Sequence, residues 1–155
     1  MGMSQPLDSV QKLIITMHRN FFDESPSPMK LQKLCYYVQG YMIAQGITLF
    51  DEDFQAWQHG PVIPALYKRY KDYGWRGITE EVNIVESAFD EAVYAEIGEI
   101  VAAYGRYDGA ALSTMTHREM PWMDARQGIA ENEGSNATIT KASLAHFFET
   151  ELARQ

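Results

Sequence analysis

Apolar residues recur every three or four positions over most of the chain, which is the period of an amphipathic helix. The first predicted helix has a capping-box-like start at Asp8. Its apolar stripe comprises Val10, Leu13, Ile14, Met17 and Phe21. A second helix is predicted from Ser27 as N-cap and Pro28 at the first helical position, running to about Gln45, with Gly46 as a left-handed C-cap.

The helical period breaks between Thr48 and Trp57. In this segment Phe54 alternates with Ala56, which predicts a short strand. Residues 59–64, His-Gly-Pro-Val-Ile-Pro, are punctuated by glycine and proline and predict a turn, with Pro64 opening a third helix. The segment 78–87 fits either a loop or a second strand, and the pattern does not choose between them.

Helical periodicity returns in the second half of the chain. Helices are predicted from about Asp90 to Tyr104, from about Asp108, and from Thr140 to near the end. The expected fold class is therefore mainly α, a compact single domain of about six helices with a small β element near residues 48–57.

Composition narrows the classes of function. The chain has 155 residues, 46% of them hydrophobic, which favours one packed domain. Its formal net charge of −8 argues against a nucleic-acid partner, because such binding depends on cationic side chains. The lone Cys35 has no partner for an intramolecular disulfide, and we find neither a membrane-spanning apolar run nor a signal peptide. We therefore expect a cytoplasmic protein without a membrane partner.

Candidate chemistry is sparse. His18 and His146 lie on helical segments without an acid or cysteine at ligand spacing, so we expect them at the surface or its boundary, and Cys35 in the core. Nucleotide-binding, zinc and nucleophile motifs are absent from the sequence, which predicts no catalytic residue, cofactor or metal. An enzyme, for example a small hydrolase, would need four side chains to converge in one cleft: His59, His117, Glu119 and Asp124.

The segment Thr116–Trp122 reads best as a structural corner. Met120 precedes a proline and is expected to end one segment, and Pro121 then starts a short helix whose Trp122 closes the core. Thr116 or His117 is expected to hydrogen-bond the backbone groups left open at the junction. The negative charge of Glu119 would interact favourably with the helix dipole at the N-terminus of this short helix.

The segment 56–62, Ala-Trp-Gln-His-Gly-Pro-Val, supports two interpretations. The direction of the chain is fixed by Gly60, Pro61 and Val62. On this interpretation Trp57 and His59 are structural residues of a second corner. Tryptophan also dominates interface hot spots, so the same pair fits a binding anchor. The sequence leaves both open.

Three stretches together resemble the Panacea, or SocA-like, antitoxin domain, whose relatives include phage-associated GepA-like proteins. They are KLQKLCYYVQGYMIAQG (residues 30–46), LFDEDFQAWQHGPVIPALYKRYKDYG (49–74) and LSTMTHREMPWMDAR (112–126). The resemblance covers about residues 8–150, so we expect the domain to occupy residues 8–153 after an N-terminal tail, 1–7, in which Met3 is a candidate natural start. Cys35 departs from the larger aliphatic residue expected there.

The resemblance implies a non-enzymatic, partner-binding role. Its members neutralise a protein toxin encoded beside them, and one acts as a protease adaptor that delivers the toxin to ClpXP. Applied to this chain, it implies a cognate toxin as partner, ClpX as a second candidate partner, and anchors at Trp57, His59 and Tyr67 with acidic residues on the rim. The alternative is a phage-associated regulator that binds a host replication or transcription protein.

Overall fold

The computed structural model describes residues 2–155 and confirms the mainly α fold class. Within that range the chain forms seven α-helices and one small antiparallel sheet. The helices are α1 (Gln5–Phe22), α2 (Pro28–Ala44), α3 (Pro64–Tyr70), α4 (Glu91–Tyr104), α5 (Gly109–Thr116), α6 (Met120–Ala125) and α7 (Lys141–Ala153). The strands are β1 (Phe54–Trp57), β2 (Gly60–Val62) and β3 (Thr138–Ile139), and short 3-10 turns cover Lys71–Tyr73 and Glu86–Ala88.

Helix α2 is the centre of the molecule. Every residue from Lys30 to Met42 is buried, and α2 packs against α1, α4, α5 and α7. Its buried polar side chains each donate to a backbone carbonyl of a neighbouring segment; they are Lys30, Gln32, Lys33 and Gln39. It begins as predicted, with the Ser27 hydroxyl accepting from the amide of Lys30 at 3.2 Å.

The sheet has the strand order β2-β1-β3, with Gln55 opposite Val62 and Phe54 opposite Ile139. Phe54 is buried in β1, so the predicted strand is confirmed. The turn predicted over residues 59–64 is wrong, because Gly60–Val62 form β2 and the chain reverses just before them. β2 lies at the sheet edge, where a strand tolerates Pro61 because no ladder hydrogen bond needs its nitrogen. The segment 78–87 forms no strand in the described residues; it is largely loop.

Helix α1 begins before the predicted start. Ser4 is the N-cap, accepting from the amide of Leu7 at 3.3 Å, while its own hydroxyl donates to Glu52 at 2.8 Å. Asp8 instead pairs with Lys12 at 2.8 Å. Residues 5–7 of the expected tail are thus helical, and Leu7 is buried.

Of the two histidines predicted at the surface or its boundary, one prediction is confirmed and the other is wrong. His146 is exposed as expected, but His18 is fully buried, with Nδ1 2.7 Å from the carbonyl oxygen of Glu24. The chain folds back over the end of α1 and covers His18, a long-range effect that its helical position does not reveal. Cys35 lies in the core as predicted, and burial raises the pKa of its thiol. Among residues 2–155, no helix has both the length and the apolarity to cross a membrane.

Candidate functional site

Helix α2 holds the edge strand β2 through two polar side chains. The amide nitrogen of Gln32 donates to the carbonyl of Ile63 at 3.1 Å, and its oxygen accepts from the Ile63 backbone nitrogen at 2.9 Å. The ammonium of Lys33 donates to the carbonyl of Pro61 at 3.2 Å. Because all these groups are buried, the contacts fix the hairpin of β1 and β2 against the core.

Gly60 makes this close approach possible. Its φ of +121° lies in a region that side-chain-bearing residues rarely adopt. A Cβ atom there would lie 2.5 Å from Cε of Lys33 and 3.0 Å from Oγ1 of Thr116. Gly60 is therefore the point where the helix motif, the hairpin and the Thr116–Trp122 corner meet.

The corner and its flanking residues are joined to the turn end of the hairpin by three hydrogen bonds. The indole nitrogen of Trp122 donates to the carbonyl of Trp57 at 2.8 Å, and the guanidinium of Arg126 donates to that of Ala56 at 2.8 Å. The hydroxyl of Ser113 donates to the carbonyl of His59. Trp122 is buried, as predicted for the residue that closes the core.

The corner differs in detail from the prediction. Met120 is the first residue of α6 rather than the last of the preceding segment, since the chain leaves helical conformation already at Glu119. The Thr116 hydroxyl bonds backbone as expected, donating to the Ser113 carbonyl at 2.7 Å. The ring of His117 stacks on Trp122 with centroids 4.1 Å apart. Burial lowers the pKa of His117, an effect that Glu131 opposes.

Glu119 occupies the N-cap position of α6 but makes no capping hydrogen bond with its side chain. Its two carboxylate oxygens accept instead from the hydroxyls of Tyr36, at 3.0 Å, and Tyr37, at 2.9 Å. Burial raises the pKa of Glu119 to about 7, although the two tyrosine hydrogen bonds oppose this shift. Glu119 is thus a polar group of the core, facing α2.

The side chains that a hydrolase would need are engaged elsewhere or open to solvent. Glu119 faces the two tyrosines, His117 stacks on Trp122, and His59 and Asp124 are exposed. In the described part of the chain, no group of three or more His, Cys, Asp and Glu side chains is arranged to hold a metal ion.

A cavity of about 520 Å³ opens beside the hairpin and brings together all three expected anchors, Trp57, His59 and Tyr67. The N-terminus of α2, the hairpin, α3 and the loop before β3 form its walls. The remaining lining residues are Pro28, Met29, Gln32, Lys33, Gln58, Val62, Lys71, Gly74, Gly134, Ser135 and Asn136.

The two aromatic anchors form one rim of this cavity. The rings of Trp57 and Tyr67 meet edge to face with centroids 5.0 Å apart, and the indole nitrogen of Trp57 donates to Oε1 of Gln55 at 2.8 Å. Tyr67 remains 43% exposed, so the rim presents apolar area together with a free hydroxyl. His59 is exposed at the turn of the hairpin.

Two residues of this region were missed by the sequence analysis. Lys33 is 1% exposed, and burial lowers the pKa of its ammonium to about 7. Lys33 follows Gln32 and Lys30 in the sequence, so the local pattern gave no signal that it is buried. Trp75 follows Gly74 at the cavity edge and is 88% exposed, with no periodic pattern to mark it.

The cavity has the opposite charge character to the chain as a whole. The sequence carries 21 acidic and 13 basic side chains. Among the described residues that line the cavity, however, none is acidic, whereas Lys33, Lys71 and His59 are basic. The acidic residues expected on the rim of the anchors therefore do not line this cavity.

Comparison with known proteins identifies a family. A family model described as "Antitoxin SocA-like, Panacea domain" matches residues 31–123, which contain nearly all of the helix motif, the hairpin and the corner. The chain is 28% identical over 125 residues to "Antitoxin SocA" of Caulobacter vibrioides, a match that spans 73% of this chain and 66% of the relative. No solved structure matches the chain. The chain belongs to the SocA-like, Panacea-domain antitoxin family.

Proposed function

We propose that this protein is an antitoxin that neutralises a cognate protein toxin by direct binding, in a non-enzymatic role within the cytoplasm. Family membership supports the antitoxin role. The observation that carries the binding mode is that the first two family motifs line one cavity, whose rim presents Trp57, His59 and Tyr67, while the third motif holds the hairpin through Ser113, Trp122 and Arg126.

A binding surface of this kind needs rigid anchors. The hairpin that carries Trp57 and His59 is fixed by hydrogen bonds from α2, α5 and α6, so little conformational freedom remains to be lost on binding. Aromatic side chains beside a pocket are the commonest interface hot spots. We expect the toxin to insert side chains into the cavity and to be inhibited because its functional surface becomes covered.

Co-expression tests the proposal. The reading frame adjacent to the gene of this protein is expressed alone and together with it, growth is scored, and a tagged copy of the chain is used to recover bound protein. A neighbour that stops growth, is rescued and is recovered supports the antitoxin function. A harmless neighbour contradicts it, and recovery of a replication or transcription protein would instead favour the regulator.

Alanine substitutions test whether the toxin binds at this cavity. Tyr67→Ala and His59→Ala remove exposed anchors without emptying the core, and each should weaken rescue and recovery. Phe21→Ala is the matched control, since Phe21 is a 48% exposed aromatic residue on α1 that does not line the cavity. Equal rescue by all three variants would place the toxin surface elsewhere.

The fate of the toxin separates blocking from delivery to ClpXP. Toxin levels are followed after synthesis is stopped, with and without this protein, in cells that contain or lack ClpX. Loss of toxin that requires both this protein and ClpX would support an adaptor role. Rescue of growth with an unchanged toxin level would indicate that this protein neutralises the toxin by covering its functional surface, without degradation.

A further inference from the structure

Lys33 forms part of the floor of the cavity with most of its hydrogen-bonding capacity unused. A lysine ammonium has three donors. Among the described residues, the hydrogen bond it makes is the 3.2 Å contact to the carbonyl of Pro61, and no carboxylate lies within ion-pair distance of it. A methionine would fill a similar volume without the cost of burying a cation, so packing does not explain the charge.

The fold provides space for this ammonium at the cavity. Gly60 lacks the side chain that would collide with Lys33, so the lysine side chain packs closely against the hairpin, and Trp57, Val62 and Met29 add apolar area to the lining of the same cavity. Lys71 and His59 add two basic side chains, and no acidic side chain among the described residues lines the space. Such a site is complementary to an anion attached to an apolar body.

We propose that the cavity receives an acidic side chain of the protein partner, whose carboxylate pairs with Lys33 while flanking apolar side chains cover Met29, Trp57 and Tyr67. This inference rests on the proposed function and specifies the chemistry of the bound segment. Half-exposed Met29 and Tyr67, and Trp75 just beyond Gly74, extend the apolar rim past the cavity, as expected for a surface that a protein covers. The net charge of −8 arises from acidic residues outside the cavity, and its field acts on a partner at longer range.

The first experiment tests the cavity without the partner. The wild-type chain is titrated with 3-phenylpropanoate and with 3-phenylpropanamide, which share an apolar body and differ in charge. Binding is followed by NMR through the indole signal of Trp57. We expect the carboxylate to bind about fivefold or more tightly than the amide, and this preference to vanish in Lys33→Met. Equal binding of the two compounds, or no binding of the carboxylate, would overturn the inference.

The second experiment uses the product of the adjacent reading frame and calorimetry. Lys33→Met should weaken its binding by about tenfold or more, because a buried carboxylate of the partner would lose its cation. Lys68→Met is the matched control, since Lys68 is an exposed lysine of α3 that does not line this cavity. The melting temperature of each variant establishes that it is folded.

A proton measurement distinguishes pairing from a structural role. In the free chain the pKa of Lys33 is about 7, so at pH 8 the amine is largely neutral, and pairing with a carboxylate requires it to take up a proton. Calorimetry at pH 8 in two buffers of different ionisation enthalpy measures this uptake. The other titratable groups around the cavity are His59, His117 and Lys71, so uptake should be lost in Lys33→Met and persist in His59→Gln and His117→Gln.

The outcomes separate the two hypotheses. A neighbour product that binds neither wild type nor variant contradicts the proposed function, and the fragment titration then decides the inference by itself. A product that binds wild type and Lys33→Met equally, with the same proton uptake, overturns the inference and leaves the antitoxin function standing.

Discussion

The indole nitrogen of Trp122 donates to the backbone carbonyl of Trp57 across 2.8 Å, joining two residues 65 positions apart. The bond connects the buried corner to the end of the strand that carries the aromatic rim. Trp122 does not line the cavity, yet it fixes the residue that does. Residues of the core therefore determine the shape of the cavity that we propose as the binding surface.

Trp122→Phe keeps an aromatic ring in the core and removes the donor. We expect the free energy of unfolding to fall by about 1–3 kcal/mol, because the buried carbonyl of Trp57 loses its partner and a small void remains. Urea unfolding followed by circular dichroism measures the change. Trp75→Phe is the control, since Trp75 is 88% exposed, and it should alter stability by no more than about 0.5 kcal/mol. Similar values for the two variants would show that the bond does not stabilise the hairpin.

Gly60→Ala should be strongly destabilising for two separable reasons. The alanine would adopt a φ of +121°, and its Cβ would collide with Lys33. Gly46→Ala isolates the backbone term, because Gly46 has a φ of +86° and open space around it. Gly134→Ala is the control in which neither effect operates, since the space around Gly134 is open and its φ is not positive.

The expected order of destabilisation in thermal unfolding is Gly60→Ala above Gly46→Ala above Gly134→Ala. We expect more than about 2 kcal/mol for the first, about 1 kcal/mol for the second and near zero for the third. If Gly60→Ala were no less stable than Gly46→Ala, Lys33 would have moved aside without cost. The close packing of Lys33 against Gly60 would then not explain why a glycine is needed at this position.

Arg126 ties the loop before β3 to the hairpin. Its guanidinium donates to the carbonyls of Ala56, Ala130 and Glu133, and it is 4% exposed. Arg126→Met should leave these carbonyls without their donor and release residues 127–137, so limited proteolysis should cut within this loop at least several times faster than in wild type. Arg118→Met, which changes an exposed arginine, is the control. Unchanged cleavage in Arg126→Met would show that the loop is held by other contacts.

Features set by near neighbours were predictable from the sequence. Ser27 caps its helix as predicted, and the helix starts predicted at about Asp108 and at Thr140 are confirmed, since each of these two residues is an N-cap whose hydrogen bond reaches a residue three positions away. The strand at Phe54 was likewise visible in a local alternation. The short strand β2 was missed because its pairing with β1, and not its composition, makes it a strand.

Features set by distant contacts were not predictable. Lys33 and Glu119 are common surface residue types, and the burial of each follows from the packing of α2 against the hairpin and α6. The three expected anchors do share one cavity, but the sequence contained no indication that Lys33 forms part of its floor. The resemblance identified the motifs, whereas only the three-dimensional structure shows that the first two supply walls of one cavity and that the third holds the hairpin in place.

Glu119 should make stability depend on pH below neutrality. Its pKa is raised from 4.5 to about 7 in the folded chain, so between these values the native state holds a proton that the unfolded state has released. Stability due to this group is therefore highest below pH 4.5 and is lost as the pH rises through about 7, by roughly 3 kcal/mol. Glu119→Gln keeps a neutral hydrogen-bonding group against Tyr36 and Tyr37 and should remove this dependence.

The test compares urea unfolding of wild type and Glu119→Gln from pH 4.5 to pH 8, with the exposed Glu149→Gln as control. His18 and His117 have lowered pKa values and favour folding as the pH rises toward 6.5, so they oppose Glu119 in the wild-type curve. They are common to all three proteins and cancel in the differences. The gap between Glu119→Gln and wild type should widen through pH 7 and level off only near pH 8, because the carboxylate is half ionised at its pKa of about 7 and approaches full ionisation about one pH unit higher. A gap that does not vary with pH would mean that the pair of tyrosine hydroxyls stabilises the carboxylate as well as water does.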